Sequence, residues 1–467
     1  MRRLVVSVFF AAALTHEPAF AQEAEALRRE LEQMREQFEK TRQEYQKAME
    51  RMQERLQRLE TAPPVSPAPP VAAPAPTKPS PTLMDYATPR APFGLAERTG
   101  RGQLLFDIGV AADFIANFTS RNVDHANVGT FAGLENRFFP REIELSLFGQ
   151  IDPYARGVVR IEAAEEFENG ERTLQVNLAE AYLTLLTLPF GTQLKLGFMR
   201  NRFGLLNEVH QHDLPQPDRP NVLVNFFGEE GLVESGVELT WVAPLPFYLE
   251  LLGGVFDGDN DVAFGRGNLR NPLWTGRIRT FFELGDYDAL QLGASVATGQ
   301  TSDRLQNTIF GLDAKYKHTP EGWRHALLTA GGEALWGWRK NRVTSEVDVE
   351  VDTDGDGIPD TTETVETSDI QTRKPFGFYV YTEVRPWRQW LGGLRFDWSE
   401  FPTGPGREWA IEPYIAYLPS EFLRFRLGFK HTARSRSAAE GFEDARIANE
   451  VFLQATFILG AHPAHPF

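Results

Sequence analysis

Apolar and polar residues alternate with a period of two along 102–459 of this chain, in about sixteen short segments joined by connectors that are tight and long in turn. In 423–430, Leu423, Phe425, Leu427 and Phe429 fall on one face while Arg424, Arg426 and Lys430 fall on the other. The same parity sets Arg156, Arg160 and Glu162 against Ala155, Val159 and Ile161. Glu142 and Glu144 oppose Ile143, Leu145 and Leu147, and Arg277 and Arg279 oppose Ile278. Strands with one charged and one apolar face suit a cylinder whose exterior meets lipid and whose interior meets water. A charge turned to lipid at the bilayer midplane costs about 2–4 kcal/mol, so the energetics choose the faces. Closure also pairs every sheet edge, which a bilayer requires.

The alternation predicts early strands at 103–118, 139–150, 155–167, 174–187 and 193–202, with later pairs joined tightly at 244–246, 285–286, 319–322, 386–387 and 419–420. Longer connectors are expected at 119–137, 204–230, 257–273, 300–305, 340–374, 401–407 and 434–445, with 168–172 the one short member. A spacing of about 23 residues per strand and connector gives sixteen strands, with fourteen and eighteen also compatible. The expected fold is all-β: a 16-stranded antiparallel transmembrane β-barrel over 102–467. Trp241, Trp274, Trp336, Trp338, Trp387, Trp390 and Trp398 sit towards strand ends, as interfacial girdles do.

Composition alone would suggest an ordinary soluble chain, with 467 residues, 42% hydrophobic and 24% charged. In a barrel half of each strand faces water, so these values are compatible with full insertion. Cysteine is absent, which removes a disulfide framework, a lipoprotein anchor and a thiol nucleophile.

Arg2 and Arg3 precede the apolar stretch 4–14, and Ala19-Phe20-Ala21 reads as a small-residue cleavage site, so 1–21 is expected to be a signal peptide. In 22–61, Leu27, Leu31, Met34, Phe38, Thr41, Tyr45, Ala48, Met52 and Leu59 recur at spacings of four and three, a heptad seam interrupted by Arg55. A short periplasmic coiled coil is expected, with a lone amphipathic helix as the alternative. Residues 62–101 open with a proline-rich run and read as a spacer.

Taken together, signal, coil and strand pattern resemble the outer-membrane porins grouped with the phosphate-selective porins O and P. A local stretch resembles barrel proteins labelled zinc-regulated outer-membrane receptors. It runs through Leu196-Gly197-Phe198, Phe203-Gly204-Leu205-Leu206-Asn207-Glu208, His210, His212, Asp218, Pro220, Phe227-Gly228 and Gly231-Leu232 to Gly236-Val237-Glu238-Leu239-Thr240-Trp241. The resemblance implies a Gram-negative outer membrane, lipid contact, a homotrimer, and passage of small hydrophilic solutes or ions. A TonB-dependent receptor carries a globular plug inside a barrel of twenty-two strands, and the residues before Gly102 read only as signal, coil and spacer.

By position, 204–230 is the third outer loop, the one that folds inward in trimeric porins. Its ionisable residues Glu208, His210, His212, Asp213, Asp218, Arg219, Glu229 and Glu230 would stand at the constriction. Facing them, Arg156, Arg160, Lys195, Arg277, Arg279, Arg395, Arg424 and Arg426 would form a basic pore wall and complete a transverse field. His210 and His212 with Asp213 also carry donors suited to zinc, although two histidines in a loop are more often solvated or hydrogen-bonded.

Asp352, Asp354, Asp356, Asp360 and Glu363 place oxygen ligands at positions one, three, five, nine and twelve of a loop with Gly357 at six, the spacing of a calcium loop. This run resembles the calcium loops of thrombospondin-type repeats; a solvated acidic loop tip is the alternative. Any Ca2+ would stiffen an outer loop, and no cofactor is required.

A hydrolase would need a nucleophile and base in reach, and no Gly-x-Ser-x-Gly elbow occurs. Enzyme activity is therefore not expected, nor is a nucleic-acid partner. A metal uptake channel, and a tether whose coil grips peptidoglycan, are the other readings.

Overall fold

The computed structural model describes residues 105–120, 130, 136–168, 171–323, 326–351, 361–435 and 446–460. The expected signal peptide, coiled coil and proline-rich spacer lie outside the described residues, as do Asp352, Asp354, Asp356 and Asp360 of the calcium motif.

Seventeen strand segments form one antiparallel sheet: β1 (Leu105–Thr119), β2 (Phe138–Asp152), β3 (Ala155–Glu168), β4 (Glu171–Leu185), β5 (Thr192–Arg200), β6 (Val233–Val242), β7 (Tyr248–Phe256), β8 (Leu273–Glu283), β9 (Asp288–Gln300), β10 (Gln306–His318), β11 (Leu327–Val351), β12 (Thr361–Arg373), β13 (Phe376–Trp387), β14 (Trp390–Glu400), β15 (Arg407–Ser420), β16 (Leu423–Arg434) and β17 (Ile447–Gly460). Each pairs with its sequence neighbour apart from β12 and β13, and β1 pairs with β17 from Gly109↔Gly460 to Thr119↔Glu450, which closes the cylinder.

β12 and β13 occupy one place in the wall. The first part of β11 pairs with β13 and the last part with β12, and Lys374-Pro375 separates the two. Proline lacks the amide that a continuous ladder would use there. Counted around the barrel, the wall has sixteen strands.

The long outer connector expected over 340–374 is instead an extension of the sheet. Residues Arg339–Val351 pair in unbroken register with Thr361–Arg373. The cause is visible in the β-branched run Val343, Thr344, Val347, Val349 and Val351 opposite Thr361, Thr362, Thr364, Val365 and Thr367.

Alternation along β16 separates lipid from lumen. Phe425, Leu427 and Phe429 are 45%, 46% and 41% exposed on the outside, while Arg426 and Lys430 are buried inside. On β17, Leu453 and Leu459 are exposed and Phe452, Gln454 and Thr456 are buried. Among the described residues no helix is long and apolar enough to cross a membrane.

The bore is not lined by polar groups alone. Residues 201–232, between β5 and β6, carry the helix α1 (Asn221–Phe227), whose Val222, Leu223, Phe226 and Phe227 are buried. They join Phe203, Leu206, Leu214 and Leu232 of the same loop, and Phe256, Phe264, Leu273, Leu335 and Tyr379, in one apolar core. Buried apolar residues at two, three, six and seven of the seven-residue segment form a helical stripe, with Pro220 before it and Gly228 after it. Gly228 has φ 87 and donates its N–H to the Val224 carbonyl at 2.8 Å, ending the helix in a conformation that glycine adopts readily. Burying each such side chain is worth about 1.5–3 kcal/mol.

Candidate functional site

Side chains of the loop 201–232 reach wall strands on several sides of the barrel. His210 lies against β2 and β4: its Nε2 is 2.9 Å from Glu180 Oε2 and its Nδ1 2.8 Å from Glu144 Oε2. His212 lies on β2, with Nδ1 3.0 Å from Glu142 Oε1 and its backbone N–H donating to Glu142 Oε2 at 2.9 Å. A short 3-10 turn at Gln211–Asp213 places both rings, whose centroids are 5.9 Å apart. Burial opposes a charge on His212, but Glu142 and the hydrogen bonds to Asp213 and Glu142 outweigh it and hold the imidazolium well above the usual histidine range.

Asp218 is gripped from two strands. Arg395 Nη2 of β14 is 2.6 Å from its Oδ1, and Lys430 Nζ of β16 contacts its Oδ2. Burial would raise this carboxyl, yet Arg395 and Lys430 hold it well below the usual carboxylate range. Arg395 also pairs with Asp397 and Glu412, each at 2.7 Å, so five ionised or ionisable groups share one buried network.

Basic wall residues also hold the loop backbone. Arg426 donates to the Leu214 carbonyl at 3.0 Å, Arg424 donates to the His212 carbonyl, and Arg141 donates to the carbonyls of Pro217 and Gln211. Arg219 turns inward instead and donates to the carbonyls of Leu206, Val209 and Glu229 at 3.0 to 3.1 Å. Burial and the neighbouring Arg200 push it down to about 10. Arg200, whose Nη2 is 2.8 Å from Oε2, and Arg219 keep the exposed carboxyl of Glu230 below its ordinary range.

The remaining expected wall residues sit on the lumen side with partners. Arg160 is 3.1 Å from Glu180 and 3.6 Å from Glu144, and Arg277 is 3.0 Å from Asp313. Arg279 bridges Glu250 at 2.5 Å and Glu208 of the loop at 3.6 Å. Lys195 stands over the Tyr182 ring at 3.7 Å, and Arg156 lies near the inner rim, 5.9 Å from the Phe148 ring centre.

At Asp218 and Glu208, then, loop acid and wall base touch, where the sequence suggested charges opposed across water. Buried charges without a partner cost several kcal/mol, so the folded loop satisfies them by contact. The acidic partners Glu142, Glu144 and Glu180 were not among the expected site residues. Their signal was present, because 142 and 144 share the charged face of β2, but nothing in the sequence brings β2 against residue 210.

Gly204 has φ 63, and a Cβ built there would lie 1.7 Å from Glu333 Oε2. Glu333 accepts the Leu206 N–H at 3.0 Å and the Tyr379 hydroxyl at 2.7 Å, so the close approach lets β11 seize the start of the loop.

No family model matches the chain. Solved structures similar to it include OmpF of Salmonella typhi in complex with daunomycin, at 12% identity and TM-score 0.47, covering 76% of this chain and 97% of that one. The outer-membrane channel DcaP of Acinetobacter baumannii matches at 10% identity and TM-score 0.46, covering 76% and 97%. An anion-selective porin from Comamonas acidovorans matches at 8% identity and TM-score 0.46, covering 76% and 100%. In sequence, the chain is 30% identical over 358 residues to an uncharacterized protein of Aquifex aeolicus (strain VF5), covering 69% of each. The chain belongs to the same family as that Aquifex aeolicus protein.

Proposed function

We propose that this protein is an outer-membrane porin that passes small hydrophilic solutes or ions by diffusion through a barrel narrowed by residues 201–232. The observation that carries the reading is the closed sixteen-strand wall, apolar outside and charged inside, with a charged loop folded into its bore. An apolar exterior is stable only in lipid, and a bore lined with Arg160, Arg277, Arg279 and their carboxylate partners is stable only if water or protein fills it. Residues 201–232 supply part of that filling, and the water-filled remainder is the path. Both signs of charge are abundant along it, so size sets the primary limit and the ion preference follows from whichever pairs face the open water. A homotrimer in the outer membrane of a Gram-negative bacterium, a periplasmic coil touching peptidoglycan and Ca2+ at the acidic motif 352–363, whose last residue Glu363 lies in β12, complete the picture.

Purified protein reconstituted in planar bilayers should give stable single-channel currents, with a reversal potential in a salt gradient that reports the ion preference. Barrels that insert fully and never conduct would overturn the reading in favour of a tether.

A further inference from the structure

We propose that His210, Glu144 and Glu142 form a binding site for one divalent transition-metal cation of the Zn2+ and Co2+ class, which staples the loop 201–232 to the barrel wall. One ligand atom from each of the three lies within 4.8 Å of the others, and all three residues are buried. Glu142 and Glu144 are two apart on β2, so both carboxylates leave the same face of one strand.

The histidine is what separates this cluster from an ordinary acidic patch. Its two ring nitrogens each face a carboxylate, Glu180 at 2.9 Å and Glu144 at 2.8 Å. A neutral imidazole has one N–H to give, so only one of these approaches can be a hydrogen bond. On the Glu180 side the bond is made. On the other side His210 Nδ1 and Glu144 Oε2, both residues 3% exposed, have no aligned hydrogen-bond partner despite their proximity. The contact calls for positive charge between the two atoms, supplied either by a second proton on His210 or by a metal cation in that proton's place.

A metal satisfies that demand with known chemistry. Imidazole nitrogen and carboxylate oxygen together suit zinc and its neighbours, and a fourth position stays open for water. Glu180 then acts as the carboxylate that accepts the far N–H of a ligating histidine, fixing its tautomer and orientation. Glu142 is aimed by His212, whose backbone N–H and Nδ1 both reach it, and carboxylate oxygens have lone pairs to spare for a metal. Arg160, shared by Glu144 and Glu180, and the His212 imidazolium on Glu142 offset part of the negative charge, and Glu162 stands opposite Glu144 in the β2–β3 register. The local excess of carboxylates favours a dication over a monovalent ion. Because His210 belongs to the loop and Glu142 and Glu144 to the wall, the bound ion would cross-link the two.

The test uses the full chain, folded in detergent and stripped with chelator. Titration with Co2+, followed by visible absorption, and with Zn2+, followed by calorimetry, should show one saturable site per chain. His210→Ala and Glu144→Gln should each weaken it by at least tenfold, and Glu180→Gln by about 10–100-fold as an orienting partner. Far-UV circular dichroism and heat-modifiable gel migration establish folding, and if His210→Ala does not fold, Glu144→Gln decides. Absence of saturable binding by the folded wild type, or equal affinity in the folded variants, would overturn the site. Binding is measured without current, so a metal site in a barrel that never conducts leaves this inference standing while the channel reading fails, and the converse result does the opposite.

Discussion

Arg395 on β14 and Asp218 in the loop, 177 residues apart in sequence, meet through Nη2 and Oδ1 at 2.6 Å with both side chains buried. Arg395 also donates from Nη1 to the Asp218 carbonyl at 2.8 Å, so side chain and backbone of the loop are held by one guanidinium. Removing one partner of a buried pair costs about 3–5 kcal/mol, because the other charge stays behind. Asp218→Ala should therefore free the middle of the loop. In the folded variant, limited proteolysis should open new cuts within 201–232 and single-channel conductance should rise. A digestion pattern identical to the wild type would show that the apolar core alone holds the loop.

Acid should test the same contact from another side. Asp218 is held below the ordinary aspartate range of about 3.9 by Arg395 and Lys430. A carboxyl depressed in the folded state contributes stability that is complete above its unfolded value and disappears only as pH falls through the lower folded value. As far as this contact is concerned, the docked loop should persist when pH is lowered to about 4 and begin to loosen below that. Proteinase K near neutral pH and pepsin in acid read the outcome, since cleavage in 214–220 that is already present near neutral pH in a folded barrel would contradict the assignment.

Parity made the barrel legible and could not make the site so. A residue such as Leu427 must face lipid once its strand is in the wall, because a one-residue slip would turn Arg426 outward. Helix α1 was also readable, from Pro220, the apolar pairs 222–223 and 226–227, and Gly228, yet the length of the loop masked it. The residues 340–374 misled through a similar effect: an acidic turn motif suggested a long loop, whereas β-branched alternation on either side extends the sheet. What the chain order hides is contact between distant segments. Glu144 and His210 are 66 positions apart on a strand and a loop, and only the way the loop returns into the bore brings them to 2.8 Å.

Gly204 offers a controlled comparison with Gly285. Both have positive φ, 63 and 80, but a Cβ at 285 meets nothing within 4 Å while one at 204 collides with Glu333. Alanine in the left-handed region costs about 1–2 kcal/mol by itself, which is the expected loss for Gly285→Ala. Gly204→Ala should lose more, because Glu333 must also give up its bonds to Leu206 and Tyr379. Thermal unfolding followed by heat-modifiable migration should rank them wild type, Gly285→Ala, Gly204→Ala. The reverse order would mean that the start of the loop adjusts freely.

Adjacent residues of β16 separate the two solvents of the barrel. Leu427 is exposed on the outside, in register with Ile415 and Leu453, whereas Arg426 points inward and bonds Gln454 Oε1 at 2.7 Å and the Leu214 carbonyl at 3.0 Å. Leu427→Arg would place a charge against hydrocarbon at about 2–4 kcal/mol, which is roughly 30-fold to 900-fold in the equilibrium for folding into vesicles. Arg426→Met removes a charge from the bore and leaves the Leu214 carbonyl unsatisfied, a loss of about 1–3 kcal/mol that falls on the loop and not on the lipid face. Urea titration of folding into vesicles should therefore move strongly for Leu427→Arg and less for Arg426→Met, while protease sensitivity of the loop should respond only to the second. Equal folding of Leu427→Arg and the wild type would place that face of β16 away from lipid and undo the membrane orientation.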